Sequence, residues 1–583
     1  MQNESISITS FIGSLAGGLV TLFLRNSGHE FARKLALGFF LLNLFISLKL
    51  TWDYLPLLEK HSVFVDEKLT FVPLNVSVTA FDLIRFQAPQ EGRPDAGAIR
   101  FFIGVDGLNL FLLPLTCILF AGSVLATWNS IREKSHLYYG LMLLLQFSTI
   151  GAFLSFDVIL FYAFFELTLI PLLFLIAMWG GPNRQYAAKK LFVYTLAGGL
   201  ATLLGIIGLV SSLNQNHLDD NTDLPITFSI PELITASHDT QIGLNKKVYE
   251  AQADKDLLNP LIKSNLEENK ARLDYWASSQ KWIFLLLATG FLVKLPAFPF
   301  HTWQPTAYYE APTGVTLVLG GILAKLGAYG FLRLCVPLLP VPAWELGTYL
   351  FSVLAMIAIL YGAACAIAQD DLKRMLAYSS FSHLGFCLLG IFALNETGLT
   401  GSYLQMINHG LNVGALFFIC EILSHRYGTT KFKDLQGLGS KLKILSGISV
   451  FYVMCSVGLP GLNGFVGEVM CLFGMFESKN PNITGKVIAS ICSLGMVFGA
   501  WYLISMVMKV FFGKLSEPAF KKEESVSDLT LIEKFFLFPM AVLCLILGIY
   551  PQPMIDTIRP EIHLIAKLNF QANNLLPVGK LGK

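Results

Sequence analysis

From one end to the other the chain repeats apolar windows of about 18 to 25 residues, the length a helix needs to cross the hydrocarbon of a bilayer. About fourteen spans are expected, near 6–25, 33–51, 102–127, 136–154, 157–179, 191–213, 281–302, 313–336, 345–366, 374–394, 401–424, 444–473, 485–511 and 532–552. Composition supports the pattern. Hydrophobic residues make up 54% and charged residues 14% of the 583, with mean hydropathy +0.59, whereas a soluble domain is roughly 45 to 50% apolar. The chain reads as an all-α polytopic membrane protein, and soluble-enzyme readings fall away.

Basic residues orient the spans. Arg25, Arg33 and Lys34, then Arg132 and Lys134, Arg184, Lys189 and Lys190, Lys373 and Arg374, Arg426 to Lys443, and Lys514, Lys521 and Lys522 fall on alternate connections. That side is expected to be cytoplasmic. The short loops opposite, around 337–344, 395–400 and 474–484, carry Lys479 alone, so both termini should face outward across a bacterial inner membrane. The first apolar run has no basic segment before it and no small-residue cleavage site, and reads as a retained span.

Two outside loops are long. Residues 52–101 contain Pro56, Pro73, Pro89 and Pro94 and are expected to be irregular rather than a domain. Residues 214–280 form the most polar segment. Their later half mixes both charge signs with helix formers, which predicts one or two surface helices with a docking role rather than chemistry.

The net charge of +2 and the scatter of basic residues over short loops imply no nucleic-acid partner. Nine cysteines stand singly in or beside apolar runs, with no CxxC, so grouped thiolates for an iron–sulfur cluster are absent from the sequence. There is no GxGxxG opening a helix, no P-loop and no HExxH. No cofactor or metal is expected on this chain.

Four apolar runs each enclose a charge: Glu166 in FYAFFELTLIPLLFL, Lys294 in IFLLLATGFLVKLPAFPF, Lys325 in TLVLGGILAKLGAYGFL and Glu468 in GLPGLNGFVGEVMCLF. An ionisable group at membrane depth must be paired, hydrated or protonated, and marks an ion or proton path by default. The structural readings are an interhelical ion pair for Glu166 and snorkelling for Lys325, the latter disfavoured by its central position. A buried lysine is tunable, because low dielectric disfavours its charge and a nearby carboxylate favours it. A Glu166–Lys294 pair about 4 Å apart would interact by about 4 kcal/mol at an effective dielectric near 20, so separating it could switch the lysine from proton holder to donor. His383 and His409 each lie in a span and read equally as titrating groups or as hydrogen-bonded core residues. His301 is a candidate entrance group. Glu310 and Glu421 lie near cytoplasmic span ends, where hydrated or capping roles suffice, and Asp157 reads as a helix cap.

The segments Lys294-Leu-Pro-Ala-Phe-Pro-Phe300 and Gly458-Leu-Pro-Gly-Leu-Asn-Gly-Phe465 both break a span at Leu-Pro. Two Pro-interrupted spans in matching halves, running in opposite senses, are what inverted repeats around an ion path require. The chain divides accordingly into 1–135, N-terminal spans with an outside loop; 136–336, a first repeat with the polar insert; 337–511, a second repeat; and 512–583, a last span and tail.

The segments FYAFFELTLIPLLFLIAMWGGPNRQYAAKKLFVYT, VKLPAFPFHTWQPTAYYEAPTGVTLVLGGILAKLGAYGFLR, DDLKRMLAYSSFSHLGF and GLPGLNGFVGE closely resemble the antiporter-like membrane subunits of respiratory complex I, the proton-pumping NADH:quinone oxidoreductase, and most of all its subunit M branch, the counterpart of mitochondrial subunit 4. The likeness runs from about Asp106 to Pro553. It implies a proton channel at Glu166, Lys294, Lys325 and Glu468, with His383 and His409 on the connecting polar axis; a glutamate at 468 is what that branch expects. It further implies FMN and iron–sulfur clusters in partner subunits, L- and N-type neighbours, a peripheral NADH-oxidising arm, ubiquinone or menaquinone as acceptor, and no redox step on this chain. Pro305-Thr306-Ala307-Tyr308 departs from the common Pro-Asp-Ala-His and removes two titratable groups, and the 214–280 loop exceeds the usual connection. Alternative readings are a subunit of a sodium/proton antiporter, of an energy-converting hydrogenase, or a scaffold that conducts nothing. Four buried charges argue against the scaffold, since apolar residues would hold helices together at lower cost.

Overall fold

A computed structural model describes residues 4–23, 29–61, 78–86, 97–215, 227–253, 260–480, 484–516 and 527–574. In chain order its elements are α1 (Glu4–Phe23), α2 (His29–His61), β1 (Thr79–Arg85), β2 (Ala98–Ile103), α3 (Gly107–Leu110), α4 (Leu112–Ala126), α5 (Ser135–Leu154), α6 (Val158–Leu167), α7 (Leu169–Trp179), α8 (Arg184–Gln215), α9 (Ile230–Ala253), α10 (Pro260–Lys294), α11 (Trp303–Glu310) and α12 (Thr313–Val318). They continue with α13 (Lys325–Gly330), α14 (Val336–Leu338), α15 (Pro340–Pro342), α16 (Thr348–Ile367), α17 (Leu372–Ile391), α18 (Glu396–Tyr427), α19 (Lys443–Val457), α20 (Asn463–Phe476), α21 (Gly485–Phe511), α22 (Leu531–Ile549) and α23 (Gln552–Asn574). Wider π-turns at Leu319–Leu323, Phe331–Cys335 and Ala343–Gly347 join α12 to α16.

Among the described residues ten helices are long and apolar enough to cross a membrane, with shorter apolar helices at Ile12–Leu22, Lys443–Val457 and Asn463–Phe476. Helix covers the greater part of each of the expected windows. Polar residues set the helix starts. Asp157 caps α6 as expected, its Oδ1 accepting from the N–H groups of Ile159 at 2.9 Å and Leu160 at 3.1 Å. Asp371 caps α17 and Asn395 caps α18 in the same way.

Both expected mid-span breaks are present. Helix α10 stops at Lys294 and resumes as α11 at Trp303; α19 stops at Val457 and resumes as α20 at Asn463. The second break turns through Gly458 at φ +78° and Gly461 at φ +89°, where a side chain would be strained.

Connections gather at two ends. At one, Arg33 donates to the Trp128 carbonyl, Ser130 to Glu421, and Arg426 pairs with Glu533 at 2.6 Å; this end carries the basic loops. At the other, β1 and β2 form an antiparallel hairpin pairing Thr79 with Ile103 and Arg85 with Ala98. That corrects the expectation of an irregular 52–101 loop. Segments TAFDLIR and AIRFFI are rich in the aromatic and β-branched residues that favour strands, and α2 runs on through Pro56 to His61. Pro73, Pro89 and Pro94 lie outside the described residues.

The 214–280 insert supplies α9 and the start of α10. It docks on its own chain: Ser237 Oγ donates to the Leu338 carbonyl at 2.6 Å, Gln280 to Gln241 at 2.7 Å, and Trp276 is fully buried. Residues 216–226 and 254–259 lie outside the described residues. The sequence reading assigns no structure to the tail after 552. Residues 552–574 form α23, which buries Ile558, Ile562, Ile565 and Leu568, a helical stripe of apolar residues, against α3 and α18 at the hairpin end.

Candidate functional site

Lys294 closes α10 at the first break, where its Nζ is buried. It donates to Thr168 Oγ1 at 2.7 Å and to the Phe165 carbonyl at 3.2 Å, and lies 4.5 Å from the Phe165 ring centre. These acceptors sit where α6 gives way to α7 at Thr168, three residues before Pro171. Glu166 lies on the same helix end. It is half-buried against Gly199 of α8, where an added Cβ would lie 2.2 Å from Glu166 Oε1. Among the described residues no ion pair within 4.0 Å joins Glu166 to Lys294. The expected direct pair is therefore replaced by a lysine held on neutral oxygens beside a separated carboxylate.

Lys325 opens α13 immediately after the π-turn Leu319–Leu323. Such turns displace carbonyls from the regular ladder, and the Lys325 ammonium donates to that of Gly320. The Tyr308 ring packs on the same glycine. Lys325 is fully buried and its Nζ lies 2.7 Å from His409 Nδ1 on α18. A charged lysine there requires His409 to be neutral, with its Nδ1 lone pair accepting.

The His409 ring lies 5.9 Å from that of His383 on α17. His383 Nδ1 donates to Glu468 Oε1 at 2.6 Å, and Gln405 Nε2 donates to the same oxygen at 3.0 Å. Behind His383, Tyr502 OH sits 3.3 Å from Nε2 and 2.9 Å from Ser379 Oγ. Lys325, His409, His383 and Glu468 thus form one buried row across α13, α18, α17 and α20.

His301 lies in the first break and is buried, but no hydrogen bond joins it to the row. Its ring stacks on Phe381 at 4.4 Å and on Phe298 at 5.7 Å, and its Nδ1 has no hydrogen-bond partner among the described residues. Glu310 is buried and accepts from the Asn183 N–H at 2.9 Å, and Glu421 accepts from Ser130 Oγ at 2.8 Å.

Sequence reasoning missed a second buried cluster. Arg333 makes a bidentate pair with Asp106, Nη1 to Oδ2 at 2.6 Å and Nη2 to Oδ1 at 2.7 Å, and donates from Nε to Tyr329 OH at 3.0 Å. The signal was there: a lone arginine in GFLRLC and an aspartate heading the 102–127 run. The partners Thr168, Gln405 and Tyr502 carry no charge and left no comparable trace.

A helical bundle with two broken spans and a buried row of lysine, histidine and glutamate has the architecture of an ion-translocating membrane subunit. A family model described as "NADH:quinone oxidoreductase/Mrp antiporter, TM" matches residues 155–238 and 262–493. The chain belongs to this family. It is 34% identical over 464 residues to NADH-quinone oxidoreductase subunit M of Escherichia coli K12, covering 79% of this chain and 81% of the relative. It is 35% identical over 472 residues to F(420)H(2) dehydrogenase subunit M of Methanosarcina mazei, covering 81% and 85%. Its fold is similar to a chain of respiratory complex I from Thermus thermophilus, with TM-score 0.75, 24% identity and coverage of 97% and 99%. It is also similar to a chain of the Mrp complex of Dietzia, with TM-score 0.71, 16% identity and coverage of 99% of each chain.

Proposed function

We propose that this chain is the M-type proton-translocating subunit in the membrane arm of an NADH:quinone oxidoreductase. The observation that carries the reading is the buried row Lys325–His409–His383–Glu468, a set of exchangeable protons with hydrogen-bonded pairs at both ends. Relatives named for NADH-quinone and for F(420)H(2) oxidation match it equally well. The electron-input module is therefore a separate matter from the path on this chain.

In the mechanism, positive charge on Lys294 is stabilised when Glu166 swings toward it and weakened when Glu166 withdraws. Withdrawal makes Lys294 a donor toward Lys325. A proton on Lys325 passes to His409, crosses to His383 by ring reorientation or a bridging water, and reaches Glu468. His301, in its aromatic cage, serves the entrance side. The two broken halves act as opposed repeats. FMN and iron–sulfur clusters reside in a peripheral arm that reaches this chain through L- and N-type neighbours. The basic loops face the cytoplasm of a bacterial cell, and the hairpin end and both termini face outward.

The test is to purify the tagged chain from its membrane in mild detergent, identify the partners and reconstitute them in liposomes. Flavin- and cluster-bearing partners, quinone-dependent NADH oxidation, and acidification lost in Lys294→Ala, Lys325→Ala and Glu166→Gln are expected. Recovery of antiporter subunits alone, or full pumping in all three variants, would overturn the reading.

A further inference from the structure

Of the two histidines in the row, His383 is held at both ring nitrogens, whereas His409 Nε2 has no hydrogen-bond partner among the described residues. On one edge His383 Nδ1 lies 2.6 Å from Glu468 Oε1, which Gln405 Nε2 also reaches at 3.0 Å. On the other edge Tyr502 of α21 brings its OH to 3.3 Å from His383 Nε2 and 2.9 Å from Ser379 Oγ. Ser379 lies one turn before His383 on α17, so the tyrosine hydroxyl bridges two positions on one helix face. Ser379, His383 and Tyr502 are all buried.

The two edges make different demands. An ionised carboxylate only accepts, so Glu468 requires the hydrogen on Nδ1 and leaves Nε2 a lone pair. Tyr502 meets that lone pair as a donor, with Ser379 donating to the Tyr502 oxygen. A hydroxyl also accepts. Once a proton sits on Nε2, the same oxygen takes that N–H bond, turns its own hydrogen to Ser379 Oγ, and frees the Ser379 O–H for a carbonyl one turn back on α17. One partner thus satisfies Nε2 in both states, where a buried N–H or lone pair left alone would be costly.

We propose that Tyr502, backed by Ser379, is a positioning residue that makes Nε2 the receiving atom and Nδ1 the delivering atom of His383, and that the hydroxyl pair reverses as the proton passes. In this step a proton leaves His409 Nε2 as Lys325 supplies one to His409 Nδ1, and it reaches His383 Nε2 directly or through a water. An N–H bond forms at Nε2. The N–H bond at Nδ1 breaks with its electron pair staying on nitrogen, and the proton released there forms an O–H bond with Glu468 Oε1. Lys325 ends neutral and Glu468 ends protonated, so one proton has crossed the row and both imidazoles remain neutral with their hydrogens exchanged. With Lys325 recharged from Lys294, turning the rings and hydroxyls back restores the starting polarity.

The inference rests on the row being the proton path, and the test separates the two. The intact complex, reconstituted in liposomes and driven by its own electron donor and quinone, is compared as wild type, Y502F, S379A, S379T and K325A. Initial acidification rates are measured in H2O and in D2O, alongside the yield and melting temperature of the complex. Y502F keeps the ring and removes the hydroxyl, so pumping should slow by about tenfold with yield and melting temperature close to wild type. The solvent isotope effect should rise as the step at His383 becomes limiting. S379A should change in the same direction by less, and S379T should stay near wild type. A structural role would instead lower yield and melting temperature and leave the isotope effect alone, which would overturn the inference. If K325A stops pumping while Y502F keeps the wild-type rate and isotope effect, Tyr502 only packs and the inference fails. Should Y502F not assemble, equal behaviour of S379A and S379T would overturn it as well. If K325A pumps normally, the reading of the row fails and takes the inference with it.

Discussion

Lys325 Nζ meets His409 Nδ1 at 2.7 Å with no carboxylate in the pair, while His383 at the other end of the row bonds to Glu468. The row therefore begins at a lysine–histidine pair and ends at a histidine–carboxylate pair.

Replacing His409 with alanine leaves the Lys325 ammonium only the Gly320 carbonyl. Losing a hydrogen bond to a buried charge costs about 1.5 to 3 kcal/mol, so proton transfer should slow by about 10- to 150-fold, with His409→Gln milder because it keeps an acceptor. Dye-monitored acidification of liposomes, normalised to quinone reduction, measures this, and a wild-type ratio in His409→Ala would contradict it.

Thr168 carries the shortest bond to Lys294. Thr168→Val keeps the shape and removes the oxygen, so pumping should fall by about tenfold or more by the same reckoning, whereas Thr168→Ser should stay near wild type. Equal rates in the two variants would show that the hydroxyl is irrelevant.

Gly199 leaves the space that the Glu166 carboxylate fills. Gly199→Ala should displace that carboxylate and reproduce the pumping defect of Glu166→Gln, and the double variant should be no worse than either single one. Strict additivity of the two defects would mean they act on different steps.

Breaking the Asp106–Arg333 pair leaves a buried charge unpaired, at about 3 to 5 kcal/mol. Asp106→Asn should lower the amount of assembled complex and its melting temperature. The paired replacement Asp106→Leu with Arg333→Met should recover much of the loss. Native gels and a thermal melt of the purified complex read both.

Glu561 lies in α23, outside the spans. Burial first and Asp106 second raise its carboxyl from the ordinary 4.5 to about 8. The docked helix thus binds a proton between these values that the undocked helix has released, so docking is strongest below pH 4.5 and weakens as pH rises through about 8. Hydrogen exchange over 552–574, corrected for its intrinsic pH dependence, should show protection falling across that window, and Glu561→Gln should flatten the trend.

The sequence made the spans legible because bilayer thickness imposes one length on every apolar run, and it exposed Glu166, Lys294, Lys325 and Glu468 because charge stands out against such runs. Both Leu-Pro breaks were legible for a similar reason, since proline cannot continue the hydrogen-bond ladder. Partners were not. Whether Lys294 would meet Glu166 or Thr168 depends on how α6 turns beside α10, which no local pattern records. Arg333 and Asp106 were visible as charges, but their meeting joins positions 227 residues apart. The hairpin and α23 were overlooked because proline content and polarity outweighed short strand and amphipathic signals.

The π-turns on either side of α13 each hold one residue more than a regular turn. Each extra residue rotates the downstream helix by about 100°. Lys325 therefore sits between two local frameshifts, and a helical wheel drawn straight through 313–338 would turn this lysine away from His409. For anyone grafting the row into another bundle, the unit to copy is the lysine together with the bulge before it.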